Sequence, residues 1–546
     1  MSAAAETIRT IDVSMDEIRS ILDRAETQPL SEEDRKLLWS VMESYVRLLG
    51  EIRDRKATID RLRRLVFGAQ TETKENVLRG MGKPLAAPPA DAPKEGSGEE
   101  KAEKEKPKGH GRIPASAYTG AEKVEIPHES LRPGDPCPAP SCPGTVYKQD
   151  PIVFVRICGC PPFAGTVFKQ DRLRCGLCGR VFLAKLPAEV GGEKFDETAT
   201  SMEAVLRYGY GLPMNRIEDL QEAAGVPFPA STQWDLLAEG AKVLEPALDE
   251  LVRQAAQGTV IMNDDTVMKI LACLSEEKAR KDRGEEPSER TGIFTSGIVS
   301  ELALGRRVAV YFTGKKHAGE NLARVLAERD AGLGPPIQMC DGLSHNVPAE
   351  FKTILSNCLV HARRQFVDVA SGFPAEVEHV IEEISLVYRH EQEAKGLGAL
   401  ERLQLHQEKS GPVMERLKVW MQSQLDEKKV EPNSGLGKAI NYSLKRWETL
   451  TLFLREPGAP LDNSLTERML KRAIRHRRNS LFYKTENGAR VGDLYMSLIA
   501  TAKLADADPF DYLNELQRHA EEIADNPADW MPWNYRATLA GLTDSS

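Results

Sequence analysis

Two short apolar runs that each end in an aspartate constrain this chain more than any other feature. They are Thr259-Val-Ile-Met-Asn-Asp264-Asp265-Thr266 and Pro336-Ile-Gln-Met-Cys-Asp341-Gly342. Runs this short and this apolar suit buried strands rather than helices. Ile293–Val299 and Arg307–Phe312 read as two further strands, with the charged stretch Glu276–Arg290 as an exposed excursion before them. A helix follows over 319–329, turning Leu322, Val325 and Leu326 inward. Glu350–Leu355 reads as another helix and Cys358–His361 as a fifth short strand. Three strands, helix, strand, helix, strand predicts an open α/β sheet, in which sites form at the carboxyl ends of neighbouring strands. Asp264 and Asp341, 77 residues apart, would then meet.

A third acid comes from a helix. Pro460-Leu-Asp462-Asn463-Ser464-Leu-Thr-Glu467-Arg468 opens one that carries Leu465 and Met469 inward. Arg468, Lys471, Arg472, Arg475, His476, Arg477 and Arg478 follow Glu467 with no acid among them. A lone carboxylate beside a phosphate-binding surface suits metal-assisted phosphodiester chemistry. Magnesium or manganese takes hard oxygen ligands, and a pair of such ions stabilises both the attacking and the leaving oxygen. The same succession of elements is that of a ribonuclease-H-like sheet. Each acid also has a plainer reading. Strand-end aspartates form turns, and Ser464-x-x-Glu467 matches a capping box. Asp265 competes with Asp264 for the ligand role, but consecutive strand residues face opposite ways, so only one is a primary ligand.

At 546 residues the chain exceeds a single core. The pattern divides it into a helical region over 1–79, a linker over 80–118, a cysteine-bearing segment over 119–192 and a helical region over 193–255. The acid-bearing domain covers 256–505, with a charged helical insertion over about 367–455, and a tail covers 506–546. Leu38, Tyr45, Ile52, Ile59 and Val66 share one heptad position. Val41, Leu48 and Leu62 share the other, broken by Arg55. Such a seam predicts a coiled coil and hence a homo-oligomer, or an amphipathic helix docked on its own domain. Pro84, Pro88, Pro89, Pro93 and the charged run 99–108 leave the linker too little apolar area to fold. Its closing Gly109-His110-Gly111-Arg112 is plain linker or a small minor-groove contact.

Cys137-x4-Cys142 and Cys175-x2-Cys178 suit a closed, structural zinc site in a ribbon, with Cys158 and Cys160 a rival pair between them. Met214–Ala224, a break at Gly225 and a helix capped at 230–232 draw a helix-turn-helix or an ordinary helical hairpin. The net charge of −9 does not exclude a nucleic-acid partner, because only the local field at a site matters. No apolar run reaches the ~18 residues that span a membrane. The acidic, polar start is unlike a signal peptide, so a cytoplasmic, nucleoid-associated protein with reduced cysteines is expected.

At the acidic motifs the sequence resembles the IS66 family of transposases. Asp264-Asp265-Thr266, Asp341-Gly342, and Leu461-Asp462-Asn463 with Glu467-Arg468 match the family's three acidic motifs. Cys358-Leu-Val-His361-Ala-Arg363-Arg364-Gln-Phe366 matches its Cys-x-x-His-Ala-Arg-Arg-x-Phe block, and Arg477-Arg478-Asn479-Ser480-Leu481-Phe482 a downstream one. Leu65-Val-Phe67-Gly68, Gly109–Arg112 and Asp529-Trp530-Met-Pro532-Trp533-Asn534 resemble peripheral blocks, while Leu343-Ser344-His345 replaces the usual aromatic after the second motif. The resemblance implies a DDE-type transposase on a multidomain α/β fold, cleaving and joining DNA at an insertion sequence's terminal inverted repeats. It implies Asp264, Asp341 and Glu467 as catalytic Mg²⁺ or Mn²⁺ ligands, and Arg468, Lys471, Arg472, Arg475, Arg477 and Arg478 on phosphates. His361, Arg363 and Arg364 would bind DNA near the acids, with His361 alternatively a buried structural residue. Double-stranded DNA and small accessory proteins are the implied partners. A non-catalytic DNA-binding protein derived from a transposase is the alternative.

Overall fold

The computed structural model describes residues 194–543 without a break. Before them it describes only parts of 21–38, 132–136, 144–145, 162–167, 172–174 and 181–183. The chain divides into two compact units, residues 1–88 with 367–385, and residues 89–366 with 386–546. In the first, a helical turn over 34–38 opens on Ser31, whose hydroxyl oxygen accepts the Asp34 amide at 3.1 Å. Of the heptad positions only Leu38 is described; the rest of the coiled coil and the linker lie outside the described residues.

In the second unit, β1 (Arg172–Arg174) and β2 (Val181–Leu183) pair antiparallel and bracket Cys175 and Cys178. An isolated bridge between Pro136 and Thr145 brackets Cys137 and Cys142. All four cysteines, with Cys158 and Cys160, lie outside the described residues.

The main sheet is mixed. Its strands are β3 (Val260–Val267), β4 (Phe294–Glu301), β5 (Arg307–Gly314), β6 (Ile337–Cys340) and β7 (Ile354–Asn357), in the order β5-β4-β3-β6-β7. β5, β4 and β3 run antiparallel, and β6 and β7 run parallel to β3. Ile261, Ile298, Val299, Val310 and Met339 fill its centre, fully buried.

The first four strands and the Ala318–Leu326 helix match the sequence reading, but the second expected helix and the fifth expected strand do not. Residues 350–353 are irregular instead of helical, and Cys358–His361 leads into a helix over Leu359–Val367 instead of forming a strand. The cause is pairing. Ile354 opposite Ile337 through Asn357 opposite Cys340 completes a parallel ladder, and long-range hydrogen bonds outweigh local propensity here. A helix, Leu271–Asp282, runs into the charged excursion, and its first amides donate to the carbonyls of Tyr483 and Lys484.

Helices cover both faces and one edge. Ser464–Ser480 packs on β3 and β4, and Ala318–Leu326 packs on the same two strands. Asn321 of the latter donates to Ser296, while Leu470 of the former meets Gly297. Neighbouring strand residues face opposite ways, so the two helices lie on opposite faces. The Glu486–Leu504 helix closes the β5 edge. The Ala309, Tyr311 and Thr313 amides donate to Thr501 Oγ1, Ser497 Oγ and Asp493 Oδ2 at 3.1, 3.0 and 2.6 Å. Three side chains thus satisfy a strand edge that would otherwise present unpaired donors. Ala230–Ala256, a 27-residue helix, packs on β5 and on the Glu486–Leu504 helix. The stretch 506–543 folds into further helices, with Trp530 buried beneath them. No helix among the described residues is long and apolar enough to cross a membrane.

Candidate active site

Asp264 sits toward the end of β3, opposite Gly297 of β4. A Cβ at 297 would lie 3.0 Å from Leu470 Cγ and Cδ2, so a glycine is what lets the Ser464–Ser480 helix rest on the strand. That close approach brings Glu467 onto the face that carries Asp264. The parallel register pairs Val260 with Ile337 and Met262 with Met339. Continued by two residues, it sets Asp341 level with Asp264.

The electrostatics of Asp264 reflect its acidic neighbours. Burial, followed by the Asp341 carboxylate, raises the Asp264 pKa to about 7, with smaller contributions from Glu467 and Asp265. The Asp265 amide, donating to Asp264 Oδ1 at 2.8 Å, works in the opposite direction. Like charges gathered out of water disfavour one another's ionisation.

Each acid is held by its neighbours. Asp341 Oδ1 accepts from the Leu343 amide at 3.0 Å and from Asn346 Nδ2 at 2.7 Å. Its carbonyl accepts from the Tyr442 hydroxyl at 2.9 Å, and Arg446, stacked over the Tyr442 ring, donates to the Gly342 carbonyl. The helical insertion thus touches the site, which sequence patterning did not reveal. Behind the acids, buried Asn263 donates to the Asn346 carbonyl at 2.7 Å and accepts from Gln338 at 2.9 Å. Asn463 donates to the Asn263 carbonyl at 3.1 Å, pinning the start of the Glu467 helix to β3. Asn263 and Gln338 interrupt otherwise apolar runs, and that interruption was the available signal.

Glu467 is not a cap. The helix N-cap is Asn463 with no side-chain cap bond, and the Ser464 amide is taken by Asp462 at 2.9 Å. Glu467 Oε1 is buried with no hydrogen-bond partner. His361 Nε2 lies 3.7 Å from it, and Arg364 Nη2 lies 4.0 Å from Oε2. Arg363, on the same helix, bears electrostatically on Tyr388, which donates to Asp462 at 2.9 Å.

The basic run divides. Arg468, Lys471, Arg475 and Arg478 are exposed, and their spacing of three, four and three places them on one helix face. Arg472 and Arg477 are turned inward. Arg472 lies against Tyr311, where burial lowers its pKa. Arg477 donates to Thr266 Oγ1 at 3.1 Å and to the Val267 carbonyl, holding the end of β3. His476 is buried between Tyr208 and Tyr483, and burial pushes its pKa down to about 3, so it adds no charge. Asp265 faces away from the acids and bonds His317 Nδ1 at 2.9 Å.

A family model described as "Transposase IS66 family" matches residues 193–491, more than half of the chain. The chain belongs to the IS66 transposase family. The matched span contains the whole main sheet, Asp264, Asp341 and Glu467, and the inserted Tyr442 and Arg446. Three uncharacterized proteins of Sinorhizobium fredii (strain NBRC 101917 / NGR234) are similar to this IS66-family chain. Protein y4qI is 28% identical over 356 residues, 62% of each chain, and y4hP is 25% identical over 359 residues, 61% of each. Protein y4jD is 34% identical over 193 residues, 34% of this chain and 37% of that protein. The chain therefore spans less than two thirds of the length of each of these relatives.

Proposed function

We propose that this protein is a metal-dependent DNA transposase, cleaving the ends of an IS66-type insertion sequence and joining them to target DNA on a ribonuclease-H-like sheet. The sheet order and strand directions support that fold. The observation that carries the chemistry is the gathering of Asp264, Asp341 and Glu467 on one face, with a buried Glu467 oxygen that no donor satisfies. A cation would relieve the repulsion that Asp341 and Glu467 impose on Asp264, and an all-oxygen donor set fits Mg²⁺ or Mn²⁺. When bound, such ions stabilise the attacking and leaving oxygens of an in-line displacement at phosphorus.

The chain's own residues do the rest. Asn346 and Tyr442 fix the loop bearing Asp341, and Asn463 fixes the helix bearing Glu467. Arg468, Lys471, Arg475 and Arg478 offer a row of cations to a DNA backbone, while Arg477 and Arg472 are positioning residues. His361 and Arg364 flank Glu467, and Arg364 brings a positive charge to where a scissile phosphate would arrive. Cys137, Cys142, Cys175 and Cys178 are proposed as zinc ligands, since the β1–β2 ladder and the Pro136–Thr145 bridge bring the flanks of each pair together. The heptad region is proposed to join copies of the chain. Binding of transposon ends, target DNA and accessory proteins belongs to the same proposal.

The test is cleavage and strand transfer on terminal-repeat DNA with Mg²⁺, comparing wild type with Asp264→Asn, Asp341→Asn and Glu467→Gln. Each variant should lose at least about 10²–10³-fold, the scale of one preorganised electrostatic group. Equal activity in all four proteins would remove the mechanism. DNA binding that fails to weaken as salt rises would remove the backbone contacts.

A further inference from the structure

On the opposite face of β3 from the three acids lies a second group of metal-ligating side chains. Asp265, His317 and His345 each offer one donor atom, and the three atoms lie within 4.8 Å of one another. They come from three separate elements: the end of β3, the residue that caps the Ala318–Leu326 helix, and the short 3₁₀ turn Ser344–Asn346 that follows Asp341. The imidazoles of His317 and His345 lie 4.4 Å apart between centroids, and His317 rests on Phe294 at 4.1 Å.

The backbone is shaped for this meeting. A Cβ at Gly319 would lie 2.6 Å from the His345 carbonyl and 2.7 Å from that of Val347, so only glycine lets the turn approach the helix start. His317 is oriented from its backbone, its amide donating to Glu320 Oε2 at 3.0 Å. All three side chains are partly exposed, which leaves ions a path of entry and water room to complete a coordination shell.

We propose that Asp265, His317 and His345 form a binding site for a divalent transition-metal ion of the zinc class, separate from the Asp264–Asp341–Glu467 set. Two imidazoles and one carboxylate favour zinc, cobalt or iron over magnesium, which prefers an all-oxygen shell. Three protein ligands leave at least one position for water. The site's position gives it a consequence. His345 lies between Leu343 and Asn346, whose amide and side chain both donate to Asp341 Oδ1. An ion clamping His345 to β3 and to the helix start would hold the loop that aims Asp341, so the site positions a catalytic carboxylate without touching substrate.

The experiment titrates Co²⁺ into metal-depleted full-length protein in excess Mg²⁺, which occupies the all-oxygen set. Thiolate-to-cobalt charge-transfer bands report the cysteine ligands and are absent from a nitrogen–oxygen site, so the two populations separate in one spectrum. Wild type should take up one equivalent with nitrogen–oxygen character. His345→Ala and Asp265→Asn should each weaken that equivalent by more than the about 10–100-fold lost on removing an outer-shell partner, with cysteine bands unchanged. Glu467→Gln should keep it, so this result stands or falls apart from the catalytic reading. Metal-free unfolding midpoints matching wild type show that the variants fold, and Asp265→Asn preserves the side chain's volume should His345→Ala not. No nitrogen–oxygen equivalent in wild type, or an unchanged one in both variants, overturns the site.

Discussion

Two consecutive helices each deliver one carboxylate to the main sheet, and the two acids meet opposite circumstances. On the Glu486–Leu504 helix, Asp493 accepts from both the amide and the hydroxyl of Thr313, each at 2.6 Å. On the Ser464–Ser480 helix, Glu467 has a buried Oε1 that no donor reaches. The first acid completes a strand edge. The second is left with bonding capacity and carboxylate neighbours. Burial raises the Asp493 pKa to about 7, against the pull of its Thr313 hydrogen bonds. Burial raises Asp264, the partner of Glu467, to the same region, but there the neighbouring acids reinforce the rise. A perturbed carboxylate alone therefore does not mark chemistry. What separates the two is whether the protein supplies the hydrogen bonds that the charge needs.

The sharpest way to break the contrast is to exchange the consequences. Glu467→Gln should cost at least about 10²–10³-fold in end cleavage while leaving the thermal midpoint equal to or above wild type, since a repelling charge is removed. A large fall in the midpoint would make Glu467 structural, and the contrast would collapse. Gly297→Val comes next. Overpacking beneath Leu470 should cost about 1–3 kcal/mol, with cleavage falling further than the folded fraction does, because the Glu467 helix lifts from β4. Proportionate losses in the two readouts would show that the helix position does not matter to the acids. Asp493→Ala should behave inversely to Glu467→Gln, losing about 1–3 kcal/mol through the stranded Thr313 donor. Cleavage per folded molecule should be retained, and its loss in a variant of undiminished stability would refute the structural assignment.

The smallest effect sharpens the contrast within one helix. His476 is neutral in the fold, with a depressed pKa near 3, whereas a free histidine titrates near 6.5. The unfolded chain therefore binds more protons between those values, and stability falls as pH drops below 6.5. From pH 6.5 to 5.5 the loss is about 1 kcal/mol. Urea midpoints at the two pH values should differ less in His476→Phe than in wild type, and an equal difference would place the charge elsewhere.

The acids were readable in the sequence because their signal is local: an apolar run, then an aspartate, or a carboxylate followed by a run of cations. So were the first four strands of the main sheet. Register and pairing were not. Nothing within Ile354–Asn357 announces that it will pair with Ile337–Cys340, and the helix expected over 350–355 fails for that reason. Hydrogen-bond accounting was hidden as well. The capping box matched Ser464 and Glu467 by spacing, but Asp462 takes the Ser464 amide. Arg472 and Arg477 read as cations on a phosphate surface, and the face each one occupies depends on how the helix lies on the sheet. Asp493, Ser497 and Thr501 stand four residues apart in an apolar helix, a legible stripe whose partner, the edge of β5, only the fold reveals.

That stripe works like a vernier. Four helical residues rise about 6.0 Å, while alternate strand residues rise about 6.6–6.8 Å, so over three marks the scales drift apart by only about 1.4 Å. Side chains can absorb that mismatch, and a longer row would outrun them. Sliding the helix by one residue would turn all three marks off the edge at once, so it has one setting along β5. Five residues connect it to the helix that carries Glu467, and the setting is passed along that short tether. A rigid gauge at one margin of the sheet thereby limits how far an acid on its broad face can stray.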